Sequence, residues 1–156
     1  MAYSSGSIKI WRKIDLLRNL LIGFVLIAMI LVSAAFGADT RQKDALAAAE
    51  NWLPMIDNGE YAKSWKEAAA YFKKVITEGE WVQSMQEIRK PLGKPISRKV
   101  KSLTPKTSLP NTPEGKYIVI QFETSFEKDK SGLETVTPQL ENDGKWRVAG
   151  YHIKWQ

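Results

Sequence analysis

KYIVIQFETSF, residues 116–126, carries two kinds of side chain in strict alternation. Ile118, Ile120, Phe122 and Phe126 fall in one phase, and Tyr117, Val119, Gln121 and Glu123 in the other. A period of two turns one set toward a core and the other toward solvent, so the stretch predicts a half-buried β-strand. The chain on either side extends this into a sheet. Upstream, Pro95 to Ser108 is rich in β-branched and basic residues and predicts a long exposed strand, followed by a turn at Pro110, Asn111, Pro113 and Gly115. Downstream, Lys128 to Gly132 is a turn, and Glu134, Val136, Pro138 and Leu140 alternate with Thr135, Thr137 and Gln139. Proline cannot donate to a ladder, so Pro138 marks an edge or a bulge. Asn142-Asp143-Gly144 predicts a hairpin, with Asp-Gly suited to a type I′ turn. In the last strand, KWRVAGYHIKW, Trp146 and Val148 share one phase and Tyr151 and Ile153 the other. A bulge at Gly150 would bring both pairs onto one face.

Before Gly93 the period is helical. Ala45, Leu46, Ala49, Trp52, Leu53 and Ile56 form one apolar stripe, stopped at Gly59, with Pro54 expected to kink its final turn. A second stripe runs Tyr61, Trp65, Ala68, Phe72, Val75 and Ile76; a third runs Trp81, Met85 and Ile88 and stops at Pro91-Leu92-Gly93. About three short helices followed by an antiparallel meander of about four strands predict an α+β domain, with the helices on one face of a curved sheet.

The chain has 156 residues, and residues 1–38 differ from the rest. Lys9, Arg12, Lys13 and Arg18 stand against Asp15, Leu20 to Val32 is an apolar run, and Ser33 to Ala38 is mostly small. A basic head, an apolar centre and a small-residue tail form the secretory pattern, with cleavage before Ala38 after Ala35-Phe36-Gly37, or after Val32-Ser33-Ala34. The rival is a retained anchor: the 19 residues Leu20 to Ala38 span roughly 28 Å as a helix, close to the ~30 Å of a bilayer core. Both place the basic head in the cytoplasm and residues 39–156 outside it, periplasmic or secreted, with membrane contact through residues 20–38 if the segment stays.

The exported part holds 19 basic and 16 acidic residues, a mild excess that does not call for nucleic acid. With no cysteine and the lone His152, disulfides, thiolate chemistry and a histidine-rich metal site are excluded. No cofactor or metal is expected.

AAENWLPMIDNGEYAKSWKEAA, PLGKPISRKVKS, YIVIQFETSF, ETVTPQL and GKWRVAGYHIK together resemble the bacterial family known as domain of unknown function 4019, over about residues 44–154. Pro54 departs from the alanine-like residue expected there. The element order resembles the cone of nuclear transport factor 2, in which helices close a curved sheet around a pocket. That resemblance implies location and fold, and no activity.

Cone folds include acid–base enzymes, so inward carboxylates and histidines are the candidates. Glu134 shares a strand face with Val136 and Leu140, and Arg98 shares one with Ile96 and Val100; pointing inward, the two would pair or bind a polar ligand. The bland alternative is a pair of solvated rim charges. His152 is a candidate general base, or an ordinary strand histidine. Asp57 and Asp143 sit beside turn glycines, where aspartate serves the backbone, and no two acids have an enforced shared site. The basic run Lys94, Arg98, Lys99, Lys101 and Lys106 lacks interleaved aromatics for base stacking and suits a charged edge strand, or weak contact with anionic lipid heads. Two functions follow: a non-catalytic envelope module binding a small ligand or another protein, with Arg98 and Glu134 as ligand contacts, or a small isomerase or hydrolase using Glu134 and His152.

Overall fold

The computed structural model describes residues 39–128 and 130–155, so the segment of residues 1–38 lies outside the described residues. Helix α1 covers 39–57; α2 is Tyr61–Lys66, α3 Ala70–Val75 and α4 Glu78–Arg89. Four strands follow, β1 (Pro95–Lys106), β2 (Lys116–Phe126), β3 (Lys130–Leu140) and β4 (Trp146–Trp155), in an open antiparallel sheet of order β1-β2-β3-β4. The class is α+β, with four helices where about three were expected. The second apolar stripe is shared by α2 and α3, because the chain breaks helix at residues 67–69 and Ala69 donates its N–H to the Val148 carbonyl of β4 at 2.9 Å.

Each helix ends for a local reason. Helix α1 closes in a Schellman motif: Gly59, at φ 75°, donates to Ile56 and Glu60 donates to Met55. Pro54 does not break α1, which runs through residue 57. The proline and the turn carbonyl it cannot satisfy, that of Glu50, both belong to exposed residues on the solvent side of the helix. Helix α4 begins with a capping box in which Thr77 and Glu80 satisfy each other's backbone N–H groups.

The sheet buries one face under the helices. Ile118, Ile120, Phe122, Val136 and Val148 meet Ala49, Trp52, Leu53, Ile56, Phe72, Trp81 and Met85 in the main core. Tyr117, expected on the solvent side, is buried, with its hydroxyl donating to the Pro113 carbonyl, because the loop after β1 folds over it. The two large indoles reach polar partners: Trp52 donates to the Ser64 carbonyl and Trp81 to the Ser64 hydroxyl. In β4 the register passes from Thr137↔Gly150 to Pro138↔Val148, so Ala149 is an extra residue and both phases of the strand reach one face. The β3–β4 hairpin is not type I′. Gly144 at φ 77° is its sole positive-φ residue, its N–H donates to Glu141, and Glu141 donates to Lys145, which is a three-residue loop.

Candidate functional site

The end of α1, the end of α4 and the inner face of the sheet converge on four charged side chains. Asp57 is the last helical residue of α1, placed by the Gly59 stop. A carboxylate at a helix C-terminus opposes the helix dipole and needs cations nearby. Arg89 ends α4, with its guanidinium carbon 4.9 Å from the centre of the Phe126 ring. Arg98 lies on β1 opposite Thr124, and Glu134 on β3 opposite Phe122 and Ile153.

Their hydrogen bonds form a closed set. Arg98 grips Asp57 through Nη1 and Nη2, both at 2.8 Å, and Glu134 through Nε at 2.7 Å. Arg89 donates from Nη2 to Asp57 at 2.8 Å and from Nη1 to Glu134 at 3.2 Å. Thr124 and Tyr151 donate their hydroxyls to Glu134 at 2.5 and 2.7 Å. Two guanidiniums thus balance two carboxylates, and the fork geometry of arginine lets each engage both acids. Glu134 is fully buried, Arg89 is 4% exposed, and Asp57 and Arg98 are each 17% exposed at the side chain.

Burial alone would push the Glu134 carboxyl up, but the Arg98 guanidinium and the two hydroxyls outweigh it and hold it below its ordinary value. Burial would likewise lower Arg98; its bonds to Asp57 and Glu134 reverse this and raise it. Tyr151 is pushed well above the ordinary phenol value, first by burial and then by the Glu134 charge, and so stays a neutral donor. Glu134, Arg98 and Tyr151 are therefore each fixed in their usual charge state.

Arg98 and Glu134 are brought together, as the strand phases predicted, as a direct ion pair. Asp57 is more than a turn residue: it shares both arginines with Glu134, so two acids do have an enforced common site. Arg89 was not singled out in the sequence; its signal, an arginine at the end of an amphipathic helix just before a Pro-Leu-Gly stop, is common to many solvated helix ends. His152 pairs with Thr135, next to the Glu134–Ile153 pair, and so lies exposed on the opposite sheet face from Glu134. The structure does not join the two as an acid–base couple. Asp143 serves its hairpin: bonded to Arg147 and to the Lys145 N–H, its carboxyl is held down at about 2.

An open cleft of about 510 Å³ meets Asp57 and Arg89, together with Tyr61, Gln86 and Lys94. Glu134 and Arg98 line neither this cleft nor two others of about 590 and 570 Å³. Among the described residues no group of three His, Cys, Asp or Glu side chains is placed to hold a metal ion, and no helix is long and apolar enough to cross a membrane.

Comparison with known proteins gives one match: the family described as "Protein of unknown function (DUF4019)" fits residues 48–151. No curated protein and no solved structure matches the chain. The matched span contains Asp57, Arg89, Arg98, Thr124, Glu134 and Tyr151, the whole buried network. The chain belongs to the family of proteins of unknown function 4019.

Proposed function

We propose that this is an exported cell-envelope protein whose domain is a non-catalytic module, binding a small ligand or another protein. The observation that carries the non-catalytic part is the saturation of the inward acids. Glu134 accepts from Arg89, Arg98, Thr124 and Tyr151, and Asp57 from both arginines. A general acid or base needs a carboxyl whose pKa is moved toward neutrality and whose oxygen reaches a substrate. Glu134 has its pKa moved the other way and lines none of the three clefts. The network instead resembles a structural tie that positions α1, α4 and the sheet around surfaces free to bind.

Export is supported by the basic head, apolar run and small-residue tail of residues 1–38. A reporter enzyme that works only outside the cytoplasm, fused after Gln156, should be active in whole cells; activity confined to a cytoplasmic reporter would refute export. Purification of the native protein from the envelope, with mass spectrometry of what accompanies it, should return a bound molecule or partner. Discovery of a turnover that Glu134→Gln abolishes while the variant stays folded would replace the binding reading with the enzyme.

A further inference from the structure

The sheet face turned away from the helices carries a set of side chains that the buried network leaves unexplained. The strand register puts Ser97, Ser125 and Ser131 in one row across β1, β2 and β3. The next row is Lys99, Glu123, Leu133 and Lys154, which crosses the whole sheet from edge to edge. These residues line an open groove of about 570 Å³. Glu123, the one acid in it, is engaged by Lys101 at 2.8 Å, and its carboxyl is held below the ordinary value first by that bond and more weakly by Lys99. Among the described residues the Lys154 side chain makes no hydrogen bond or ion pair, and the Lys99 side chain has only its longer-range attraction to Glu123.

Charge is also divided between the two layers. Residues 39–93, which form the helices, hold eight basic and nine acidic residues, whereas residues 94–156 hold eleven basic and seven acidic. The cationic surplus of the folded part therefore resides in the sheet, and this groove collects three of its lysines.

We propose that the groove binds an anionic polysaccharide, a sugar polymer carrying sulfate, carboxylate or phosphate groups. Lysines at the two edges stand about 14 Å apart, three strand spacings, which exceeds one sugar ring and suits a short run of them. Serine hydroxyls donate and accept, as sugar hydroxyls require. Leu133, half-buried between the lysines, offers an apolar floor to the C–H face of a ring. Among the described side chains no aromatic lines the groove to stack nucleobases, and no large exposed apolar side chain lines it to receive an acyl chain. The assignment rests on the binding-module reading and adds to it the surface and the ligand class.

The test uses the full-length protein with dextran sulfate, neutral dextran and phosphatidylglycerol vesicles as probes at about 0.15 M salt. Dextran sulfate should bind and neutral dextran should not. The pair Lys99→Gln/Lys154→Gln should lower that affinity by roughly tenfold or more. Lys74→Gln/Lys90→Gln, an equal charge change on the helical side, should leave it within about twofold. Both pairs replace exposed side chains, and unchanged melting temperatures would confirm that the variants fold. Equal losses in the two pairs, no binding of dextran sulfate, or tighter binding to the vesicles would each overturn the proposal. None of these results bears on Glu134, whose role is decided separately by a search for turnover.

Discussion

Glu134 has no contact with water and accepts from two arginines and two hydroxyls, so changing it alone does more than remove one ion pair. Glu134→Gln leaves two guanidiniums sharing Asp57, one of them deeply buried, and should destabilise the domain by about 3–5 kcal/mol in urea unfolding. Replacing Arg98 and Glu134 together by leucine removes one charge of each sign and leaves Asp57 with Arg89, so it should cost much less than the sum of the single changes. Additive losses would show that the two side chains do not act as a pair. The acid response follows from the same residue. Its folded pKa lies below the ordinary 4.5, so its contribution is complete above that value and is lost as pH falls below it through the folded pKa. Urea midpoints should therefore drop steeply below pH ~4.5 in the parent and less in Glu134→Gln. Strand phase alone disclosed Arg98 and Glu134, because each lies among apolar neighbours at a spacing of two. Asp57 was hidden by its own good local explanation, since an aspartate two residues before a turn glycine needs no tertiary partner.

Among the elements, β2 was the most legible, since Ile118 to Phe126 keep one phase and the buried face demands it. Phe122 sits at its centre, 1% exposed, between the pairing strands β1 and β3 and beneath the helices. Phe122→Ala should cost about 3–5 kcal/mol, measured as a shift in the urea midpoint with little change in slope. A variant that melts with the parent would mean that the side chain does not fill the core. Two elements escaped the sequence for physical reasons. The stripe from Tyr61 to Ile76 keeps helical spacing across a real break, because the turn at residues 67–69 brings the next helix back to the same core. The hairpin at Asn142-Asp143-Gly144 carries the residues of two turn types, and the choice between them depends on the register of the flanking strands.

On the scale of the whole domain, the network joins residues 57, 89, 98, 124, 134 and 151, which belong to two helices and all four strands. No window of sequence contains that set, which is why class, strand order and the Arg98–Glu134 pair could be read from the chain and the complete site could not. Above it, Trp52 and Trp81 pack against Tyr151 at 5.8 and 6.2 Å between ring centres, so the aromatic core and the charged cluster share one member. That shared member lies just past the extra residue in β4. Between Val148 and Tyr151 the chain takes three steps where a regular strand keeps two side chains on one face in two, and the unpaired Ala149 absorbs the difference. Ala149→Ser should therefore be tolerated. Deletion of Ala149 should leave a regular ladder in which Val148 still lies opposite Pro138 and Tyr151 opposite Val136, so that cooperative thermal unfolding survives. Loss of cooperativity would show that the bulge itself is required. In variants of this chain, that short interval should accept new letters, and even one letter fewer.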